Sequence, residues 1–281
     1  MKNKSLWMVI TSMVLWGTIG IFRRYIALPS SVIAFARGMI GAGFLIVFCK
    51  VRGIKLPKIS SNKTVGLLVL SGMLMGLNWL LLFEAYNYTS VATATLCYYM
   101  QPVMIILVSP ILFKEALTKR KVICVVVAVF GMLLVSGVIG SEIYGLVGIV
   151  FGLLAALLYG IVVIMNKWLQ KVDAYQKTII QLFSAALIMI PYMILVEDMQ
   201  FVMDTVSMGM LVFVGVVHTG IAYALYFGAI GKLKTQTVAL FSYLDPVVAI
   251  VLSAVVLHES MSVLSIVGAV CILGSLVVGE M

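Results

Sequence analysis

Apolar positions along the chain fall into blocks of about 20 residues, the length that crosses a bilayer as a helix. Short charged, polar or Gly/Pro-containing breaks separate them. The blocks predict helical spans at 5–23, 31–49, 64–84, 90–113, 121–140, 144–166, 175–196, 206–229, 235–257 and 261–280. Runs such as VICVVVAVFGMLLVSGVIG do not alternate apolar with polar, as the strands of a membrane barrel would. Backbone polar groups in lipid must be satisfied within a segment, so helices are the expectation. The N-terminal stretch MKNKSLWMVITSMVLWGTIGIF has lysines before an apolar run but no clear small-x-small cleavage site. It reads as a retained first span. The predicted fold class is an all-α integral membrane protein.

Placement of charge orients the spans. With the N-terminus in the cytoplasm, sixteen of the 19 lysines and arginines fall in cytoplasmic loops or span ends. Arg23 and Arg24 alone fall at the other face, and Arg37 lies within a span. Glu142, Glu197, Asp198, Asp204 and Glu259 fall outside. This asymmetry predicts a multi-pass protein of the cytoplasmic (inner) membrane with both termini inside. It also accounts for the +9 net charge, so no nucleic-acid partner is implied.

An internal repeat divides the chain. YYMQPVMIILVSPILFKEALTKRK aligns with SYLDPVVAIVLSAVVLHESMSVLS at an offset of 144 residues, pairing Tyr99 with Tyr243, Pro102 with Pro246 and Glu115 with Glu259. Trp79 falls on Tyr223 at that offset, and Trp16–Gly17 fall on Tyr159–Gly160 at 143. The expected halves are 1–141 and 142–281, five spans each in one compact membrane domain. Five is odd, so the second copy enters the membrane inverted. The loop KEALTKRK and its counterpart HESMSVLS carry the opposite charge character that inversion requires. Inverted repeats place a site near the midplane at their interface.

On these residues the chain resembles the drug/metabolite transporter superfamily, EamA type, over nearly its whole length. Both halves carry Y-x-x-P-V with a glutamate thirteen residues beyond the proline. The acid before the proline that is common in the family is Asp245 in the second half but Gln101 in the first. The resemblance implies two inverted five-helix units and transport. Members of the superfamily carry amino acids, nucleotide precursors, organic cations and other metabolites.

Three charges lie within the spans: Arg37, Glu84 and Asp245. Each costs roughly 2.5–3.5 kcal/mol at bilayer depth on insertion scales, so each is a candidate for function. A carboxyl that exchanges a proton for a bound cation is the chemistry of a proton antiporter. Glu84 and Asp245 are therefore candidate substrate or proton sites. The competing role for Glu84 is a pair with Arg37, or an outward reach through Tyr86, Asn87 and Tyr88. For Asp245 it is support of a proline-bent helix. Arg37 reads first as a charge partner and second as a contact for a substrate carboxylate. Pro102 and Pro246 are expected to kink spans four and nine at matching points.

Trp16, Trp79, Tyr99, Tyr159, Tyr223 and Tyr243 form three repeat-related aromatic pairs. They are predicted to line a central cavity walled by spans one, three, four, six, eight and nine, with spans five and ten peripheral. Aromatics beside acids suit organic cations, and also the apolar part of an amino acid. Asn78, Tyr98, Gln101, Asn166, Gln181 and His218 offer further hydrogen bonds, each equally at home as an interhelical tie. His218 is a candidate proton relay.

The expected function is secondary active transport of a small polar metabolite, cationic or zwitterionic (an amino acid or organic amine), with export by proton antiport as one mode. The alternatives are a membrane enzyme, a channel, or a carrier of a neutral or anionic metabolite. HExxH, GxSxG and phosphate-loop motifs are absent from the sequence, so no enzyme and no ATP coupling are expected. The four cysteines stand singly in apolar segments, so neither metal nor cofactor is called for. Small residues in spans five and ten suit close packing within one chain, as a monomer, before packing in a dimer.

Overall fold

The computed structural model describes residues 2–23, 25–59, 61–89, 91–136, 138–139, 145–197, 203–256 and 262–280. Arg24, Glu142, Asp198 and Glu259 lie outside the described residues. The chain is all-helical in these segments. In order it forms α1 (Lys2–Arg23), α2 (Ser30–Val51), α3 (Asn62–Tyr88), α4 (Val91–Tyr98), α5 (Gln101–Phe113), α6 (Lys119–Val135), α7 (Leu146–Trp168) and α8 (Ala174–Val196). There follow α9 (Thr205–Phe213), a π-helical segment (Val214–Ile221), α10 (Ala222–Ile230), α11 (Thr235–Phe241), α12 (Leu244–Val256) and α13 (Val263–Glu280). Eight spans among the described residues are long and apolar enough to cross a membrane, and Val263–Gly279 is a shorter apolar helix. The predicted blocks therefore stand as helices of a multi-pass membrane protein. Ile111, Val126, Leu195 and Val263 are exposed on its outside, where lipid is their solvent.

Packing follows the repeat. α3 packs on α7, and α1 packs in the equivalent way on the π segment and α10. α3 packs on α8 as α2 packs on the π segment, and α1 on α12 as α4 and α5 on α7. Of the remaining main contacts, α2 with α8 and α6 with α13 join equivalents directly, while α5, the second part of span four, packs on α11, the first part of span nine. Exchanging the halves preserves most of these contacts, as a pseudo-two-fold axis between inverted repeats implies, but α5 packs on α11 without an equivalent main contact between α4 and α12 among the described residues.

Glycines set the closest approaches. A Cβ on Gly17 would lie 2.7 Å from the Asp245 carbonyl oxygen and 2.7 Å from Val248 Cβ, so α1 and α12 meet there backbone to backbone. Gly131 of α6 faces Gly268 of α13, whose carbonyl oxygen would be 2.7 Å from an added Cβ. The small residues of spans five and ten thus pack against each other within the chain.

Spans four and nine differ from the expected kinks. Each is interrupted: α4 ends at Tyr98 and α5 begins at Gln101, while α11 ends at Phe241 and α12 begins at Leu244. Pro102 and Pro246 stand in the first turns of α5 and α12, where a proline needs no amide partner. Each proline has no N–H to offer the carbonyl four residues back, Tyr98 and Ser242, so the helical ladder is interrupted at that point. Tight turns close both ends, with Met100 N donating to Cys97 O at 3.1 Å and Tyr243 N to Leu240 O at 3.2 Å. Tyr99 and Tyr243 sit in the breaks themselves.

The two ends of the bundle differ in charge. Lys58 lies between α2 and α3, and Lys119 opens α6, both at the end holding the start of α1. This is called the basic end below. Asp204 caps α9 at the opposite end, accepting from Ser207 N at 2.7 Å.

Candidate functional site

A cavity of about 350 Å³ lies in the middle of the bundle. Trp16, Trp79, Tyr99, Tyr159 and Tyr223 line it, together with Tyr98, Gln101, Ser242 and the half-buried Asp245. Its wall comes from α1, α3, α7, α10 and the broken spans, and from α2 through Arg37. α6 and α13 contribute nothing to the lining. Tyr243 is not in the wall: it is completely buried behind Tyr99, with ring centroids 6.5 Å apart.

The breaks meet at this cavity. Tyr99 Oη donates to Asp245 Oδ2 at 2.8 Å. Tyr243 Oη donates to the carbonyl of Tyr99 at 3.1 Å. The asymmetry follows from the sequence. Only the second half has an acid before its proline, so Tyr99 finds a carboxylate while Tyr243 finds a backbone carbonyl in its place.

Aromatic rings floor the cavity. Trp16 lies 4.8 Å from Tyr223 and 5.1 Å from Tyr226 by ring centroids. Trp79 lies 6.2 Å from Tyr223. The Trp16 ring is held by its indole N–H, which donates to the His218 carbonyl at 2.8 Å. That carbonyl belongs to the π segment, where wider winding loosens the backbone ladder and frees groups for other partners. Nothing in the sequence pattern marks that segment, whose hydrophobic period is interrupted only by His218 and Thr219. The His218 side chain is not part of the cavity lining. Its Nε2 lies 2.6 Å from Thr18 Oγ1, and its ring packs 5.1 Å from Phe22 and 5.5 Å from Phe213.

Glu84 is placed elsewhere too. It accepts hydrogen bonds from the Tyr192 hydroxyl of α8 and, at 3.4 Å, from Asn87 Nδ2. It does not line the cavity and is not paired with Arg37. Arg37 instead lies over the Trp79 ring, 4.4 Å from its centroid. Asn78, Asn166 and Gln181 act as interhelical ties: Asn78 Nδ2 donates to Ala155 O at 2.6 Å, and Gln181 Nε2 to Ser71 Oγ at 2.8 Å and Asn166 Oδ1 at 3.3 Å.

Toward the end opposite the basic one, a second cavity of about 270 Å³ adjoins the first. The two share Ile19, Gly20, Arg37 and Phe83 in their walls. At the basic end a polar cluster ties the halves together. Glu115 accepts from Thr235 N at 2.8 Å and Gln236 N at 3.2 Å, and lies 3.5 Å from Lys167 Nζ. Gln236 Nε2 donates to Ser109 Oγ at 2.7 Å, and Lys167 Nζ also donates to the Leu233 carbonyl. An aromatic cavity at the middle of the spans, with Asp245 in its wall and a second cavity adjoining it, has the size and lining to hold a small molecule.

Comparison with known proteins agrees. The EamA-like transporter family profile matches residues 3–137 and again 146–279, once for each repeat. The chain belongs to this family, within the drug/metabolite transporter superfamily. It is 30% identical over 261 residues to the uncharacterized transporter YxxF of Bacillus subtilis, covering 90% of this chain and 82% of that one. It is 23% identical over 215 residues to protein PecM of Dickeya dadantii, covering 75% and 72%. To protein RarD of Salmonella typhi it is 27% identical over 207 residues, covering 69% and 65%. A solved crystal structure superposes with a TM-score of 0.88 at 19% identity, covering 100% of this chain and 99% of the other, which supports the fold.

Proposed function

We propose that the protein is a secondary active transporter that carries a small metabolite with a positively charged group, cationic or zwitterionic, through the central cavity by alternating access. The observation that carries this reading is Asp245, held by Tyr99 in the wall of an aromatic cavity at the middle of its span. A carboxylate with tyrosine and tryptophan faces around it attracts an ammonium group by charge and by cation–π contact. The same carboxyl exchanges the bound cation for a proton, which couples substrate to the proton gradient. Trp16, Trp79, Tyr99, Tyr159 and Tyr223 bind the substrate, and Tyr243 positions Tyr99. Glu84 drops out of the substrate site because it lies outside the wall.

In this reading the basic end is cytoplasmic, with both termini there, as the positive charges favour. The membrane is the cytoplasmic one. The halves, 1–141 and 142–281, rock about the breaks in spans four and nine, and the substrate leaves unaltered. The protein transports rather than transforms, and it acts as a monomer.

The test is counterflow in proteoliposomes holding the purified protein. Saturable exchange of an unmodified amino acid or organic amine, abolished by Asp245→Asn, is the expected result. Flux that does not saturate would point to a channel, and recovery of a chemically altered product to an enzyme.

A further inference from the structure

Arg37 and Asp245 are opposite charges in the wall of one cavity, yet they do not pair. Among the described residues no carboxylate oxygen lies within 4.0 Å of the Arg37 guanidinium. Its Nε is buried with no hydrogen-bond partner. Its one close contact with a charge-complementary surface is the Trp79 ring face at 4.4 Å. Asp245 is held separately by Tyr99. A guanidinium kept from an acid in a low-dielectric site is costly, and direct pairing would relieve that cost. Two unmated charges around a cavity define the shape of a molecule that mates with both.

We infer that Arg37 is the oxyanion-binding half of the central site, so that the carried molecule is a zwitterion with its anionic group toward the vestibule and its ammonium group at Asp245. This rests on the transporter reading above and narrows it. The orientation comes from depth. Arg37 lies seven residues into α2 from Ser30, about 10 Å from the vestibule end at 1.5 Å per residue. Asp245 lies eleven residues from the end of α12 at Val256, about 16 Å from that end.

The vestibule agrees with an anionic group on that side. Arg23 stands in its wall with Arg37, and no aspartate or glutamate does. The Arg23 guanidinium is fixed there, donating to the carbonyls of Ile26 at 2.9 Å and Leu28 at 3.1 Å. A guanidinium presents paired donors that match a carboxylate. An amine without an anionic group leaves Arg37 unmated. An acid without an amine leaves Asp245 unmated.

The test compares matched ligands by thermal shift and counterflow on the whole protein in lipid nanodiscs and proteoliposomes. The probes are the twenty L-amino acids, the amines that lack their carboxyl group (phenethylamine beside phenylalanine, cadaverine beside lysine) and the acids that lack their amino group. At least one amino acid should bind at least about ten-fold tighter than both its amine and its acid. Arg37→Gln should bring that amino acid down to the level of its amine, and Arg37→Lys should restore part of the difference. The ratio is read within each variant, so a general loss of stability cancels, and Arg37→Lys serves if Arg37→Gln fails to fold. Amines that bind as tightly as their amino acids, or an amino acid-to-amine ratio unmoved in both variants, overturn the inference. If those amines still depend on Asp245, the transporter reading survives without it. If no probe binds and Asp245→Asn changes nothing, both readings fall.

Discussion

Tyr243 donates its hydroxyl to the backbone carbonyl of Tyr99, its own counterpart in the other repeat, at 3.1 Å. Tyr99 in turn donates to Asp245, two residues beyond Tyr243, at 2.8 Å. The breaks in spans four and nine are therefore laced together across the pseudo-two-fold axis, and the acid depends on a residue of the opposite half. Removing the Tyr99 hydroxyl takes away a hydrogen bond to a charged group, worth roughly 1.5–3 kcal/mol. Tyr243→Phe removes a neutral one, worth about 1 kcal/mol. Tyr99→Phe should weaken substrate binding by about ten-fold or more, and Tyr243→Phe by several-fold only. Binding isotherms on both variants check the order. Equal effects would mean that Tyr99 does not act through Asp245.

Protonation of Asp245 gives a second test. The ionised carboxylate accepts a cation, and the protonated acid does not. Affinity for a positively charged substrate should therefore rise with pH until the acid is fully ionised, then level off. In the rising range one proton leaves for each cation bound, so log affinity gains up to one unit per pH unit. Asp245→Asn should give a flat profile over the same range. Affinity measured across pH in both proteins decides it, and a wild-type profile as flat as that of the variant would remove Asp245 from coupling.

The contact between α1 and α12 has no room for a side chain at Gly17. Gly17→Val should force the helices apart at the residue that carries the Asp245 carbonyl. Overpacking of this kind costs typically 1–3 kcal/mol. Melting should fall by several degrees and counterflow should be lost. Gly43→Ala is the control, because nothing lies within 4 Å of its added Cβ. Its melting temperature should be unchanged or higher, since alanine favours a helix.

Much of this arrangement was legible in the sequence, because lipid leaves few options. Span positions and the repeat follow from apolar run length and the 144-residue offset. The rings of Trp16, Trp79, Tyr99, Tyr159 and Tyr223 could be drawn to one cavity because repeat-related residues converge on the axis. Three features lay beyond a one-dimensional pattern. Glu84 was a costly lone acid by sequence, but Tyr192 on α8 supplies its partner through a contact 108 residues away. The π winding around His218 leaves the apolar pattern unaltered. Pro102 and Pro246 signal disturbance, but whether a helix bends or breaks depends on the turn bonds before the proline. Glu84→Gln should accordingly leave transport within about two-fold of wild type. It should still lower stability by about 1 kcal/mol, since the amide accepts the Tyr192 proton less strongly than the carboxylate. A loss of transport without a loss of stability would return Glu84 to the mechanism.

In the proposed transport cycle, Glu115 is the candidate latch at the basic end. Its carboxylate joins the start of α11 to the Lys167 end of α7, and its own backbone carbonyl accepts from Gln236 Nε2 at 3.2 Å. Both Glu115 and Lys167 are largely buried, with side chains 11% and 17% exposed, so the pair is screened little by water. If the proposed alternating access holds, opening at this end breaks these bonds, while opening at the vestibule end leaves them in place. Glu115→Gln removes the charge and weakens both backbone amide contacts, which should favour opening at the basic end. Ser242→Cys offers a small reporter in the cavity wall, labelled with a membrane-impermeant thiol reagent from either side on a background freed of the four native cysteines. With Glu115 intact, the reporter should react mainly from the vestibule side. With Glu115→Gln, labelling from the basic side should rise by about ten-fold, as a loss of about 1.4 kcal/mol from the closed state would give. Lys167→Gln should raise it less, because Glu115 keeps its two amide partners. Labelling from the basic side that does not change in either variant would mean that some other contact holds this end shut.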